Sequence, residues 1–406
     1  MSETVAVATH QRPKVCRHAG AGIILAIVDL PSHQELHLSL RPLPGEKPAQ
    51  MIDRLAAVLI ERNAVVVRHE VFASIVAHSE TMQALRRRFA DFDWPVMWIE
   101  GHGADGCGVS GMHVFAVVGT GVRTIYMEGQ PVGRVFNDGP IRHCLVADVR
   151  STNLSSSRAV QSRATFERLE GALHQVGMNM RNVVRTWFYL DDILSWYKSF
   201  NAVRNEFYRQ KKIFNGPVPA STGIGVRNPI GAAVVAGAWA IQAPEGSSIV
   251  REVPSPLQCP SLEYGSAFSR AILLSGVACR RLLVSGTASI DPAGRSAHVN
   301  DLQNQIGLTM EVVEALVASQ SFQLSEVIRA TAYFKNVQSA GIFDAWRAEH
   351  ALKFFPLVKA QADICRSELL FEIELDAISH ARTELDTKTD IKGVESGADY
   401  VVEDYS

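Results

Sequence analysis

The chain has 406 residues, about three times the ~150 typical of one domain. Forty Lys and Arg against 42 Asp and Glu leave a formal charge of −2, which gives no electrostatic footprint for nucleic acid or an anionic membrane. Hydrophobic residues at 47% and charged residues at 20% exclude a disordered chain, and with no run of ~18 uncharged apolar residues no transmembrane helix is expected.

Residues 1–18 are polar and aperiodic and read as a mobile N-terminus, without the basic-then-apolar order of a secretion signal. A first unit, 19–120, opens on a hairpin-like stretch, Gly22–Arg41. Helically spaced apolar residues then lead into an alternating run over Leu55–Phe72, followed by a helix at Ser79–Phe89 and a β-rich Pro95–Ile99. Gly101–Gly111 is glycine-rich, but no helix start follows, so it reads as a flexible loop and not a phosphate cradle.

A second unit, 121–243, repeats the order: Val122–Val149, Leu169–Leu190, a helix at Ile193–Arg209, then β-rich Val218–Ile224 and Gly231–Ile241. Pro244–Pro260 has four prolines in 17 residues and reads as a linker or wrapping segment, 244–260. A third unit, 261–380, carries Phe268–Ile290, Val312–Phe334, Ala340–Phe354, Val358–Ile364 and Leu369–Leu375 in the same order. From Ala381 to Ser406 the chain is acidic, lacks a core pattern and reads as a disordered tail. Cys16, Cys107, Cys144, Cys259, Cys279 and Cys365 are scattered singly, as expected of reduced thiols in a cytoplasmic protein without a structural zinc.

The three units share one arginine, at 68, 185 and 329, inside the alternating run. Arg329 and Tyr333 both stand 144 positions after Arg185 and Tyr189. Each unit therefore reads as α+β, a mixed sheet with two helices on one face. The recurrent arginines suit a structural ion pair under the helices.

This unit order, with VVRTWFYLDD before a helix holding FNAVRNEFY, resembles the RidA/YjgF superfamily (chorismate-mutase-like fold). That family packs subunits of about this unit's size as trimers with sites between subunits, so three units in one chain imply an intramolecular pseudo-trimer. PASTGIG (Pro219–Gly225), YGSAFSRA (Tyr264–Ala271), SGTASI (Ser285–Ile290), AHVND (Ala297–Asp301) and QADICRSELLFEIE (Gln361–Glu374) are more closely similar to the chorismatases. Those enzymes hydrolyse chorismate or convert it to a hydroxybenzoate.

The resemblance implies Glu372 as general acid and Cys365 as the residue that steers toward 3-hydroxybenzoate. Alternation places Leu370, Glu372 and Glu374 on one strand face and Phe371, Ile373 and Leu375 on the other. In the second unit the corresponding run has Ala236, Gly237 and Ala238. A carboxylate in a half-dry cleft acquires a raised pKa suited to general-acid work, and a dicarboxylate substrate needs arginine forks. Arg270 and Arg366 are the candidates for those forks. Tyr264, Ser221, Gln361 and the Ser285–Gly286–Thr287 strand end complete the expected substrate-binding set, with His298 as a further motif position. The arginine of the PAR motif of RidA deaminases is missing after Ala220 and Ala360, which counts against an enamine/imine hydrolase, the alternative activity; a non-catalytic metabolite-binding protein is the third reading. No metal or organic cofactor is expected. The partners expected are a small-molecule carboxylate and, at most, further copies of a pseudo-trimeric monomer, with neither nucleic acid nor membrane.

Overall fold

The computed structural model describes residues 14–380 apart from 91, 104–107 and 277. The expectations for residues 1–13, for Cys107 and for the tail 381–406 lie outside the described residues.

One order of elements occurs three times. The first unit runs β1 (Lys14–Gly20), β2 (Ile23–Asp29), β3 (Gln34–Leu40), α1 (Pro48–Glu61), β4 (Val65–Ala73), α2 (His78–Arg88), β5 (Val96–Glu100) and β6 (Val109–Val118). The second runs β7 (Arg123–Met127), β8 (Gln130–Asp138), β9 (Ile141–Val149), α3 (Arg158–His174), β10 (Val183–Leu190), α4 (Ile193–Gln210), β11 (Ala220–Gly225) and β12 (Val234–Gln242). The third runs β13 (Val250–Val253), β14 (Ala271–Ser275), β15 (Cys279–Ala288), α5 (Leu302–Ser319), β16 (Val327–Phe334), α6 (Gly341–Glu349), β17 (Leu357–Gln361) and β18 (Phe371–His380). The three six-stranded sheets have one topology: β1-β2-β3-β6-β4-β5, β7-β8-β9-β12-β10-β11 and β13-β14-β15-β18-β16-β17. The last strand of each unit inserts between its third and fourth, and one parallel pair closes each sheet.

Local chemistry starts the helices where the pattern changes. Ser157 accepts from the Val160 amide ahead of α3, Asp301 accepts from Asn304 ahead of α5, and Pro48 stands at the first turn of α1. Three strands fall where irregular chain was expected. Strand β1 begins within the predicted mobile N-terminus, because pairing with β2 supplies the hydrogen bonds that a lone polar segment lacks. Strand β6 begins within the predicted Gly101–Gly111 loop. Val250–Val253 lies between the prolines of the predicted linker and pairs with β14 at a sheet edge, where proline is tolerated.

Strand β18 shows what positions the site. Phe371, Ile373, Leu375 and Ala377 join the helix-side core of the third unit, while Glu372, Glu374 and Asp376 face the other way. Both faces are buried, because the helix-free faces of all three sheets meet in one central core that includes Phe72, Trp187 and Tyr333. The strands touch cyclically, β5 with β9, β11 with β15, and β17 with β6, so the three units close a head-to-tail ring within one chain. The sheets do not merge into one. Units two and three are stitched by isolated bridges, Ala220 with Ser269 and Gly225 with Asp363.

The shared arginine is set by a shared irregularity. A register shift falls between Val66 and Arg68, Val183 and Arg185, and Val327 and Arg329, one position in each unit. Such bulges re-aim side chains. Here they turn the three arginines toward the central axis, on the face opposite the helices, which corrects the expected place of the ion pair. Glu374 bonds to both Arg185 and Arg329 there.

Candidate functional site

A cleft of about 960 Å³ opens between the second and third units. The second unit contributes α4, with Tyr197, Asn201 and Arg204, and β11, with Ser221 and Gly223. The third contributes Tyr264, Phe268, Arg270, Gly286, Cys365, Arg366 and Glu372. Of the residues expected at the site, Glu372, Cys365, Arg270, Tyr264, Gly286, Ser221 and Arg366 therefore share one cavity wall.

Ser285, Thr287, Gln361 and His298 do not line this cleft. Ser285 is fully buried, donates to the Ser269 carbonyl at 2.5 Å and accepts from the Ser221 amide at 2.8 Å, so its hydroxyl knits the two units together. Thr287 donates to the Ser285 carbonyl at 2.9 Å. A register shift between Val284 and Thr287 interrupts the alternation at this strand end, and of the three residues it is Gly286 that lines the cavity. Gln361 is exposed at the end of β17. His298 is exposed too, and its carbonyl accepts from the Asp301 amide and the Gln305 side chain at the start of α5.

Glu372 is 5% exposed, and its carboxyl group has no hydrogen-bond or ion-pair partner among the described residues. Burial, reinforced by the charge of Glu374, pushes it up to about 8 against the opposing pull of Arg185 and Arg270. Glu374, two residues along the same face, is the opposite case. Its Oε2 accepts from Arg185 at 2.5 Å, Trp187 at 2.9 Å and Thr222 at 2.5 Å, and its Oε1 from Arg329 at 2.6 Å. The arginines beside it hold Glu374 far below the usual carboxylate range despite burial. Two neighbouring carboxylates pushed apart in this way form an acid and a fixed anion.

Glycine is required at position 286. A Cβ there would lie 2.0 Å from Glu372 Oε1 and 3.3 Å from Thr222 Cγ2. The Gly286 amide donates to Thr222 Oγ1 at 3.1 Å, and that hydroxyl donates to Glu374. Strand β15 is thereby pinned against both carboxylates.

Among the described residues, the arginines of the cleft lack anionic partners. Arg270, 4% exposed, donates to the Cys259 carbonyl at 2.8 and 3.1 Å. Arg366 donates to the Gly294 carbonyl at 2.9 Å. The Tyr264 ring lies between the two guanidinium groups, 5.5 Å from one and 5.2 Å from the other. Arg204, 1% exposed, donates only to Asn201 at 2.6 Å, and its buried Nε is unpartnered. None of the three forms an ion pair among the described residues. Three such arginines around a protonated carboxyl suit an anionic ligand.

Burial pushes the Cys365 thiol up to about 12, with Glu372 adding to the effect. It stands at the cleft as an un-ionised thiol, so the thiolate chemistry open to an exposed cysteine is absent.

Sequence reasoning missed Tyr197, Asn201 and Arg204, whereas Thr222 belongs to the Ser221–Thr222–Gly223 cluster that resembles the Ser285–Gly286–Thr287 strand end. The three missed residues recur at helical spacing along one stripe of α4, a signal that was present in FNAVRNEFY and the residues before it. Their meaning depends on the third unit packing across that stripe. The other clefts diverge. Strand register places Val235 and Gly111 opposite Tyr189 and Phe72, as Glu372 lies opposite Tyr333. The equivalent of Glu372 in the second unit is thus Val235, and Gly237 matches Glu374, while Ala236 and Ala238 face the helices. Met97 of the first unit packs on Gly237, and Val358 of the third packs on Gly111.

A model of the endoribonuclease L-PSP family matches residues 145–234. A 3-hydroxybenzoate synthase of Streptomyces hygroscopicus is 25% identical over 240 residues, 52% of this chain and 68% of that protein. A crystal structure of chorismatase aligns with a TM-score of 0.58 at 16% identity, over 86% of this chain and 100% of that one. The chain is similar to the RidA/YjgF superfamily and, within it, to the chorismatase branch, as its motifs implied.

Proposed function

We propose that this chain, built on the fold it shares with chorismatase, cleaves the enolpyruvyl ether of chorismate and releases pyruvate, with Glu372 as the general acid. One observation carries the reading: a carboxyl group held un-ionised at neutral pH in a cleft whose arginines have no anionic partners among the described residues. Protonation of the enolpyruvyl methylene carbon by Glu372 creates an oxocarbenium-like centre, and the ring C–O bond breaks with its electron pair kept by the departing oxygen, so that the side chain leaves as pyruvate. The neighbouring ring hydroxyl oxygen bonds to the carbon so vacated, its proton returns to Glu372, and the ring then rearranges to the aromatic hydroxybenzoate. The carboxylate left on Glu372 is stabilised by Arg185 and Arg270. Arg204, Arg270 and Arg366 hold the two carboxylates of the substrate, whose orientation carries much of the rate.

The 3-hydroxybenzoate synthase among the relatives supports 3-hydroxybenzoate as the second product. Chorismate yields pyruvate and 3-hydroxybenzoate with no added water, whereas a dihydroxy acid requires one. In this reading the neutral Cys365 thiol acts by occupying the space a water would take. Cys365→Ala should shift the product toward the dihydroxy acid without abolishing turnover, as chromatography would show. The primary test is incubation of the purified protein with chorismate and assay of pyruvate. Failure to consume chorismate, with turnover of an imino acid instead, would overturn the reading in favour of an imine hydrolase.

A further inference from the structure

The first unit has no acid at the position of Glu372, yet it supplies part of the charge around it. Arg68 donates to Glu70 Oε1 at 2.5 Å, and Arg329 donates to Glu70 Oε2 at 2.9–3.0 Å through Nη2 and Nε. Arg329 also reaches Glu374 at 2.6 Å and lies 3.7 Å from Asp376, and Arg185 bonds to the other oxygen of Glu374. Arg68 lies 3.5 Å from the centroid of the Trp187 ring, whose indole N–H donates to Glu374. The result is one buried chain, Arg68–Glu70–Arg329–Glu374–Arg185, drawn from all three units and ending two residues from Glu372. With Asp376 it holds three arginines and three carboxylates, a neutral set in which each charge is buried.

Resting on the reading of Glu372 as the acid, we propose that Arg68 and Glu70 of the first unit are positioning residues that set the protonation of Glu372 through Arg329 and Glu374, Glu70 favouring the protonated acid and Arg68 opposing it. Glu372 is surrounded by Glu374 on its own strand, Arg185 on β10, Arg270 ahead of β14, Tyr197 on α4 and Cys365 in the preceding loop. Tyr197 and Cys365 are neutral, so Glu374, Arg185 and Arg270 set the local field directly. What Glu70 controls is how much of the Arg329 charge remains uncompensated. Without Glu70 the buried set gains a net positive charge and favours ionised Glu372. Without Arg68 it gains a net negative charge and favours the protonated form.

The two removals therefore act in opposite directions, which loss of packing alone does not do. The test is an infrared titration of full-length protein, reading the protonated-carboxyl band that disappears in Glu372→Gln. It needs no substrate, so it stands even if chorismate is not turned over. Glu70→Gln should move the loss of that band to lower pH, and Arg68→Gln to higher pH, each by about one pH unit. The charge-conserving double variant should return it close to the wild-type position. If Glu70→Gln does not fold, Arg68→Gln and the double variant decide alone. A band that titrates at the wild-type pH in Arg68→Gln, or moves in one direction in both single variants, overturns the proposal. Where chorismate is turned over, the alkaline limb of kcat should move with the band.

Discussion

Glu372 and Glu374 differ by one pleat of a strand, and their environments make them opposites. Glu374 receives three donors on one oxygen and a further arginine on the other, while the Glu372 carboxyl receives none among the described residues. Exchange of Glu372 for Gln keeps the shape and removes the proton donor. We expect kcat to fall by ~10²–10⁴, with an unchanged circular dichroism spectrum. Near-normal turnover by this variant would remove Glu372 from the mechanism. The pH dependence follows from the raised pKa. The acid is competent below about 8 and is lost as pH rises through that value, so kcat should show an alkaline limb near 8. The same shift bears on stability. A carboxyl whose folded value exceeds its ordinary 4.5 favours the folded state least above about 8, where it must ionise in place. Glu372→Gln should therefore be more stable than the wild type at pH 9 in urea unfolding and lose that advantage at pH 4. Gly286→Ala tests the contact from the other side. Its methyl group would displace the Glu372 carboxyl, and a displacement of ~1 Å costs on the order of 10²-fold in kcat.

At the scale of elements, β18 and α4 make the site by facing each other across a unit boundary. The α4 stripe presents a guanidinium whose charge is buried without an anionic partner. Such a charge is an energetic liability in the empty protein and becomes useful when an anion arrives. Arg204→Met should raise KM for chorismate at least tenfold with a smaller change in kcat, and should not lower the melting temperature. Equal loss of both kinetic constants with a lowered Tm would instead assign Arg204 a structural role.

For the whole molecule, ring closure rests on charges that cross unit boundaries. Arg281 of the third unit makes a bidentate pair with Glu35 of the first, at 2.7 and 2.8 Å, and both are buried. Breaking such a pair by removing one partner strands a buried charge and costs about 3–5 kcal/mol. Glu35→Gln should therefore lower stability by that order at pH 7 in urea unfolding. Glu35 is held well below its ordinary 4.5, its burial outweighed by Arg281 and the neighbouring histidines. Its contribution is complete above that pH and is lost as pH falls below it, so the difference between variant and wild type should narrow in acid.

The sequence by itself determined the repeat, the α+β class, the two faces of β18 and the acid-bearing strand. These are properties of short-range periodicity, which a strand two residues per pleat and a helix of 3.6 residues per turn impose wherever they form. It also marked Arg68, Arg185 and Arg329 as equivalent, since a register shared by three copies is visible in spacing alone. Where those arginines point was decided by a bulge in each unit and by the meeting of three sheets. The sheet faces opposite the helices read as solvent in one unit and become a core in three. For the same reason Ser285 and Thr287, neighbours of Gly286 in one motif, turned away from the cleft, while Thr222 and Arg204 of another unit took part in the site. Protonation of Glu372 and neutrality of Cys365 were likewise tertiary outcomes. Burial in a cleft closed by another unit raises the pKa of both, with Glu374 adding to Glu372 and Glu372 to Cys365, while Arg185 and Arg270, over a hundred positions away, oppose the rise at Glu372. No local pattern of residues encodes that burial.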